Sequence, residues 1–173
     1  YKGDFKVSFS ITGVAIEQFR EYAPEVLESF KKLAKTGCVE FLAETSSHSL
    51  ASLKSETEFV RQIKEQEKLI VKYFGKKPTV FRNTELIYSD KIGETVASLG
   101  YNVMLTEGAR HILGWKSPNY VYTNCINPRL KLLLRNFELS DDISFRFSDR
   151  SSSLWPLTAE KFTSLLADNC KSS

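Results

Sequence analysis

The sequence predicts an α/β protein built on a mainly parallel sheet. Short runs of alternating apolar and polar residues take turns with longer runs of helical period, and Gly or Pro stands at many of the changeovers. Most of the strand-like runs are separated by enough chain for a crossover helix, and such crossovers are right-handed. A chain of 173 residues can bury one sizeable core, and residues 1–173 are read as a single domain.

The elements follow in order. Phe5 to Ile11 alternates apolar and polar as a half-buried strand does, and Thr12-Gly13 stops it. A helix from about Val14 is broken at Pro24, which lacks an amide donor and opens the next helix well. Val26, Leu27, Phe30 and Leu33 form the apolar face of that second helix, and Gly37 ends it. Val39 to Glu44 is the second strand, followed by the polar loop Thr45-Ser46-Ser47-His48. Ser55 and Glu58 have capping-box spacing and open the longest helix, which runs to about Gly75 with Phe59, Ile63, Ile70 and Phe74 as its buried stripe. Pro78 to Asn83 is a third strand, Ser89 to Leu99 a helix ended by Gly100, and Asn102 to Thr106 a fourth strand. Beyond it lie a helical turn at His111–Leu113, an extended piece at Tyr120–Tyr122 and a fifth strand from Lys131 to Asn136. Ser140 to Asp149 reads as irregular or weakly helical, and Thr158 caps a last helix with Phe162, Leu165 and Leu166.

Composition narrows the function. The 24 basic and 21 acidic residues are interspersed, which describes a solvated surface rather than the basic stripe of a nucleic-acid binder. No apolar run approaches the ~18 residues of a membrane span. Cys38, Cys125 and Cys170 are widely spaced with no CxxC, and are read as reduced thiols in a cytoplasmic protein. Two distant histidines without HxxxH or HExxH spacing give no expected metal site. A Gly-rich phosphate loop and a GxSxG nucleophile elbow are both missing.

In a mainly parallel sheet, chemistry gathers where strands end and run into helices. Glu44 and His48 follow the second strand, Arg82, Asn83 and Glu85 the third, Glu107 the fourth, and Asn136 the fifth. Glu85 is the leading candidate. A carboxylate there can attack a sugar carbon or move a proton, with Arg82 close enough in sequence to hold it ionised; the alternative is an exposed loop acid. Glu44 and Glu107 are candidate second carboxylates, or else structural partners of Arg82 or Arg110. His48 can hydrogen-bond a ligand hydroxyl, and Trp115 with Tyr120 or Tyr122 can stack on a sugar ring, or simply pack at a rim.

Two segments carry a resemblance. Val39-Glu40-Phe41-Leu42-Ala43-Glu44-Thr45-Ser46-Ser47-His48-Ser49-Leu50 resembles the second signature region of glycoside hydrolase family 57, the α-amylases and related α-glucan enzymes. Phe81-Arg82-Asn83-Thr84-Glu85-Leu86-Ile87-Tyr88 resembles the region holding that family's nucleophile, and Leu105–Ala109 and Ile112–Trp115 fit the same pattern. The resemblance implies a partial (β/α) barrel, part of the family's incomplete seven-stranded barrel, and a retaining mechanism with Glu85 as nucleophile. His48, Glu44, Arg82, Glu107 and Trp115 are the expected substrate-binding residues, with no metal or other cofactor, and an α-glucan or oligosaccharide as ligand. The family's opening His-Gln-Pro strand is absent, its acid/base aspartate belongs to a strand beyond Ser173, and Ser46-Ser47 stand where aromatic residues are expected. The chain is therefore expected to be a fragment of a larger catalytic barrel, either poorly active alone or a non-catalytic half-barrel that self-associates through open strand edges.

Overall fold

The computed structural model describes residues 3–171. Strand β1 (Val7–Ser10) is shorter than the alternating run around it. Its outer edge meets no other strand among the described residues, and Phe5, just ahead of it, is largely exposed. Helix α1 (Gly13–Tyr22) begins where the Thr12 hydroxyl accepts the Ala15 amide, satisfying one of the free donors of the first turn. Gly13 is required by space: a Cβ there would lie 3.0 Å from the side chains of Gln66 and Leu69 and 3.1 Å from the carbonyl of Ser46.

Helix α2 (Pro24–Lys35) starts on its proline, and strand β2 (Val39–Leu42) then pairs in parallel with β1. Helix α3 (Glu56–Phe74) is capped by Ser55, whose hydroxyl accepts the Glu58 amide, and closed by Gly75 in the left-handed region at φ 77°. The expected capping box is half formed, because the Glu58 carboxylate is engaged by Arg61 and Gln62. Strand β3 (Val80–Arg82), helix α4 (Asp90–Ser98), strand β4 (Val103–Glu107) and the short helix α5 (Arg110–Leu113) follow. The chain continues through β5 (Tyr122–Thr123), β6 (Lys131–Arg135), α6 (Phe137–Ser144) and α7 (Ala159–Lys171). The segment from Ser140, read as irregular or weakly helical, is helical as far as Ser144, in a helix capped by Asn136, whose side chain accepts the Leu139 amide.

The strands run β1-β2 and β3-β4-β6-β5, all parallel except β5. The two sheets meet at one bridge: Ala43 donates to the Val80 carbonyl at 2.9 Å, and Arg82 donates to the Ala43 carbonyl at 2.8 Å. This is the expected α/β architecture with a mainly parallel sheet, narrowed to a neck between β2 and β3. Helix α3 spans the neck. Its Phe59 and Ile63 pack with Phe81, Met104, Leu132, Ile92 and Val96, while its Ile70 and Phe74 pack with Ile16, Leu27 and Phe41. All four residues of the expected stripe are buried. Because side chains alternate along a strand, Arg82, Leu105, Glu107, Leu133 and Arg135 share the opposite face of the sheet. No helix among the described residues is long and apolar enough to cross a membrane. Cys38 and Cys125 are free thiols, and the side chain of Cys170 lies outside the described residues.

A polar knot fixes the start of α4, the helix that follows Glu85. Fully buried Asn124 donates to the Tyr88 hydroxyl at 2.8 Å and the Asp90 carbonyl at 2.9 Å, and its own oxygen accepts the amides of Ile126 and Asn127. The Tyr88 hydroxyl and the Cys125 amide donate to the Asp90 carboxylate and hold it below the usual aspartate range. Burial, then Asp90, pushes the Tyr88 hydroxyl up and keeps it a donor. A carboxyl lowered by folding adds stability above its unfolded pKa and withdraws it as pH falls through the folded value. The urea midpoint will therefore fall as pH drops below about 4, and Asp90→Asn will flatten part of that fall. Superimposable acid-range profiles for the two proteins would contradict this role.

Candidate active site

Three of the sequence-predicted residues meet at the carboxyl ends of β2 and β3. Glu44 directly follows the bridged Ala43 and is buried, 1% exposed. Its two oxygens are both used: Ser10 donates to one at 2.8 Å, and His48 Nδ1 lies 3.2 Å from the other. His48 Nε2 lies 3.4 Å from Glu85, whose side chain is 72% exposed. The chain Ser10–Glu44–His48–Glu85 thus leads from the interior to an accessible carboxylate. A ring with a carboxylate at each nitrogen can donate to both only as the imidazolium.

The backbone here is held in conformations that ordinary residues avoid. His48, Glu85 and Leu86 have φ of 51°, 53° and 54°. Each non-glycine residue in that region costs on the order of 1–3 kcal/mol and persists only where its surroundings force it. They do so here. His48 donates its amide to the Thr45 carbonyl, and the Thr45 hydroxyl accepts the Ser49 amide. Leu86 and Ile87 donate to the carbonyls of Asn83 and Thr84, and buried Asn83 reaches the Ile87 carbonyl and the Ser52 hydroxyl. The Thr45 and Thr84 hydroxyls, 3.1 Å apart, tie the two loops together. Strain on both loops, which face each other across the Thr45–Thr84 and His48–Glu85 contacts, marks the site.

The other expected residues go elsewhere. Glu85 pairs with His48 and not with Arg82, because the left-handed turn carries its carboxylate toward the β2 loop. Arg82 stays on the sheet face and makes no ion pair among the described residues. Glu107 sits opposite Arg135 in the β4–β6 register and pairs with it at 3.4 Å, so its partner is neither Arg82 nor Arg110. Arg135 also holds Asp141 at 2.6 Å, and Arg110 holds Glu138. Trp115 follows α5 and is 91% exposed, outside this hydrogen-bonded chain. Ser46, where an aromatic was expected, is buried and donates its hydroxyl to Glu65 at 2.7 Å. Sequence reasoning missed Ser10; its place in the β1–β2 register beside Leu42, two residues short of Glu44, is the signal that could have found it. Among the described residues no three His, Cys, Asp or Glu side chains gather as metal ligands do.

Fold and site together define an α/β protein with a mainly parallel sheet, of the partial-barrel kind, with an exposed carboxylate at its strand edge backed by a buried carboxylate that contacts a histidine. The profile of glycosyl hydrolase family 57 matches residues 1–171, and the chain belongs to that family. A protein of Methanocaldococcus jannaschii named "Putative alpha-amylase" is 51% identical over 165 residues, which are 95% of this chain and 35% of the relative. The chain therefore spans about a third of that relative's length. Among solved structures, the 4-alpha-glucanotransferase of Thermococcus litoralis superposes with a TM-score of 0.73 at 17% identity, over 83% of this chain and 23% of that one. A "putative polysaccharide deacetylase" from Mycobacterium smegmatis gives 0.66 at 15% identity, over 97% of this chain and 56% of the other. At these identities the likeness shows the fold alone.

Proposed function

We propose that the chain is the nucleophile-bearing part of a retaining α-glucan-active glycoside hydrolase, with Glu85 as the nucleophile. The observation that carries this reading is the exposed Glu85 carboxylate at the end of β3, held on a strained turn against His48. Family membership and the amylase name of the relative support the substrate class. In this reading Glu85 attacks the anomeric carbon, the bond to the leaving oxygen breaks, and a glycosyl ester forms that water or another sugar hydroxyl then resolves. His48 orients Glu85 and contacts a sugar hydroxyl, Glu44 orients His48, and Trp115 offers a stacking surface to more distant sugar units.

A retaining pair needs a second carboxylate at about 5–5.5 Å with the sugar between them. The His48 imidazole stands between Glu44 and Glu85, and Glu107 is held by Arg135, so neither is free to protonate a leaving group. In this reading neither Glu44 nor Glu107 is the acid/base. A general acid is worth about 10²–10⁴-fold on an ordinary glucan, but little on a glucosyl fluoride, whose leaving group needs no proton. Incubation with 5-fluoro-α-D-glucosyl fluoride and peptide mass mapping should place one glucosyl adduct on Glu85. No adduct, or an adduct on another residue, would refute the assignment.

The open edge of β1 supports a second reading, a non-catalytic half-barrel that pairs with its own copy. An apolar groove of Phe5, Val7, Phe9, Leu33 and Val39 lies beside that edge. Light scattering at rising concentration should then show a dimer, and Phe5→Glu should return it to a monomer; a monomer throughout would refute this reading.

A further inference from the structure

The charges that are interspersed along the sequence separate in space at the amino-terminal end of the sheet, the end opposite Glu85. Helices α2 and α3 each hand over to the start of a parallel strand, so their last turns lie at that end. They lie side by side there: the Lys31 ammonium of α2 and the Lys72 ammonium of α3 stand 5.6 and 5.2 Å from the ring centre of Tyr73. Lys32, Lys35 and Lys72 belong to the last turns of the two helices, and Lys76 follows α3. Lys6 precedes β1, and Lys131 begins β6. These six lysines are exposed, and none makes an ion pair among the described residues. Lys77 pairs with Glu67 at 3.2 Å. The acids placed at this end are Asp4 and Glu40, and Glu40 already accepts the Thr79 hydroxyl at 3.0 Å.

Lysines in a last turn answer the negative end of the helix dipole. Lys6 and Lys131 stand at strand starts, where no dipole asks for them. The strands run β1-β2 and, across the neck, β3-β4-β6, so the lysine surface spans four strand spacings, about 19 Å. A single small anion would touch only part of it. A hollow of about 250 Å³ opens at the same end, its lining joining buried Val39, Phe41, Phe74 and Pro78 to exposed Lys76 and Lys77. It is smaller than the usual small-ligand site of about 300–1,000 Å³, and it suits one apolar side chain. Protein interfaces anchor in this way, with an apolar residue in a pocket and charges that steer the approach. The two rings of the hollow, Phe41 and Phe74, are buried and stacked on each other at 3.8 Å, so neither offers an open face to a nucleic-acid base.

We propose that the amino-terminal end of the sheet docks an acidic segment of a partner protein. One apolar side chain of that segment sits in the hollow, and its carboxylates lie on the lysines around it. The proposal is independent of the reading of Glu85, which lies at the other end of the strands.

The test is fluorescence anisotropy with a labelled peptide of glutamates around one central phenylalanine. The same peptide with a central serine and a lysine counterpart serve as comparisons. The phenylalanine peptide is expected to bind about tenfold more tightly than the serine peptide, more weakly as salt rises to about 0.15 M, and the lysine counterpart not at all. Lys35→Glu combined with Lys76→Glu should cut its affinity by about tenfold or more. Both lysines are exposed and unpaired, so the fold should be unaffected. Thr79→Trp, which crowds the hollow, should erase the advantage of phenylalanine over serine. Phe5→Glu, in the apolar groove beside β1, should leave that advantage in place. Absent binding, equal binding of the phenylalanine and serine peptides, or full affinity in the double lysine variant would overturn the proposal. So would an advantage lost in Phe5→Glu and kept in Thr79→Trp. Tighter binding of a thymine oligonucleotide or of phosphatidylserine vesicles than of the phenylalanine peptide would overturn the assignment to a protein segment.

Discussion

Glu85→Gln is expected to lower glucosyl transfer from an α-glucosyl fluoride by roughly 10³-fold or more, because an amide oxygen cannot form the covalent ester. The substitution is nearly isosteric, and the side chain it replaces is largely exposed, so the fold should be unaffected. Glu44→Gln should give a smaller loss with a different signature. It removes a charged partner of His48 and leaves Glu85 in place but less firmly held. A hydrogen bond to a charged group is worth about 1.5–3 kcal/mol, or about 10–100-fold. That loss should appear in kcat with KM little changed if Glu44, which is buried, acts through His48. Equal losses for Glu44→Gln and Glu85→Gln would contradict the division of roles. Steady-state kinetics on the fluoride donor checks both.

Phe81→Ala carries the largest expected effect on stability. Phe81 is fully buried at the neck of the sheet, with ring centres 5.8 Å from Phe59 and 5.6 Å from Tyr101. Its backbone forms the bridge to Ala43, and Asn83 and Glu85 follow within one turn. Removing the ring loses its burial and leaves a cavity that the surrounding strands can only partly close, a cost of about 3–5 kcal/mol. The urea midpoint should fall by that cost divided by the slope, which should not change. Phe81→Leu should cost much less. The site should suffer with the fold, since the neck holds Glu44 and Glu85 on facing loops. A loss below about 1 kcal/mol for Phe81→Ala would mean that the neck does not depend on this ring.

The parts of the fold that one short segment decides were legible in the sequence. Pro24, Gly75, Ser55 and Ser89 mark helix ends by local chemistry, and each stands where expected. The stripe on α3 was legible because its period is intrinsic to the helix. That the stripe serves two clusters, one on each side of a neck, depends on where the sheet divides, and no local pattern states that. Strand β1 fell short of its alternating run for a similar reason: alternation shows which face is apolar, not whether an edge finds a partner.

The candidate site follows the same division. The strand-edge rule brought Glu44, His48 and Glu85 into view, and the structure joins them. It equally proposed Glu107, which register pairs with Arg135 from a strand 28 residues away. Ser10 and the Thr45–Thr84 contact were invisible because they join segments 34 and 39 residues apart. The left-handed turns at His48, Glu85 and Leu86 gave no warning either, since none carries the Gly or Asn that usually signals one. Those conformations are imposed from outside the local sequence.

The claim on which the rest stands is that the Glu85 carboxylate attacks the sugar carbon. The most direct measurement is the anomeric configuration of the product when Glu85→Ala is given an α-glucosyl fluoride and azide. With the nucleophile removed, azide enters the vacated space and displaces fluoride in a single step, so the account predicts β-glucosyl azide. α-Glucosyl azide would show that a nucleophile elsewhere still forms the intermediate, and would contradict it.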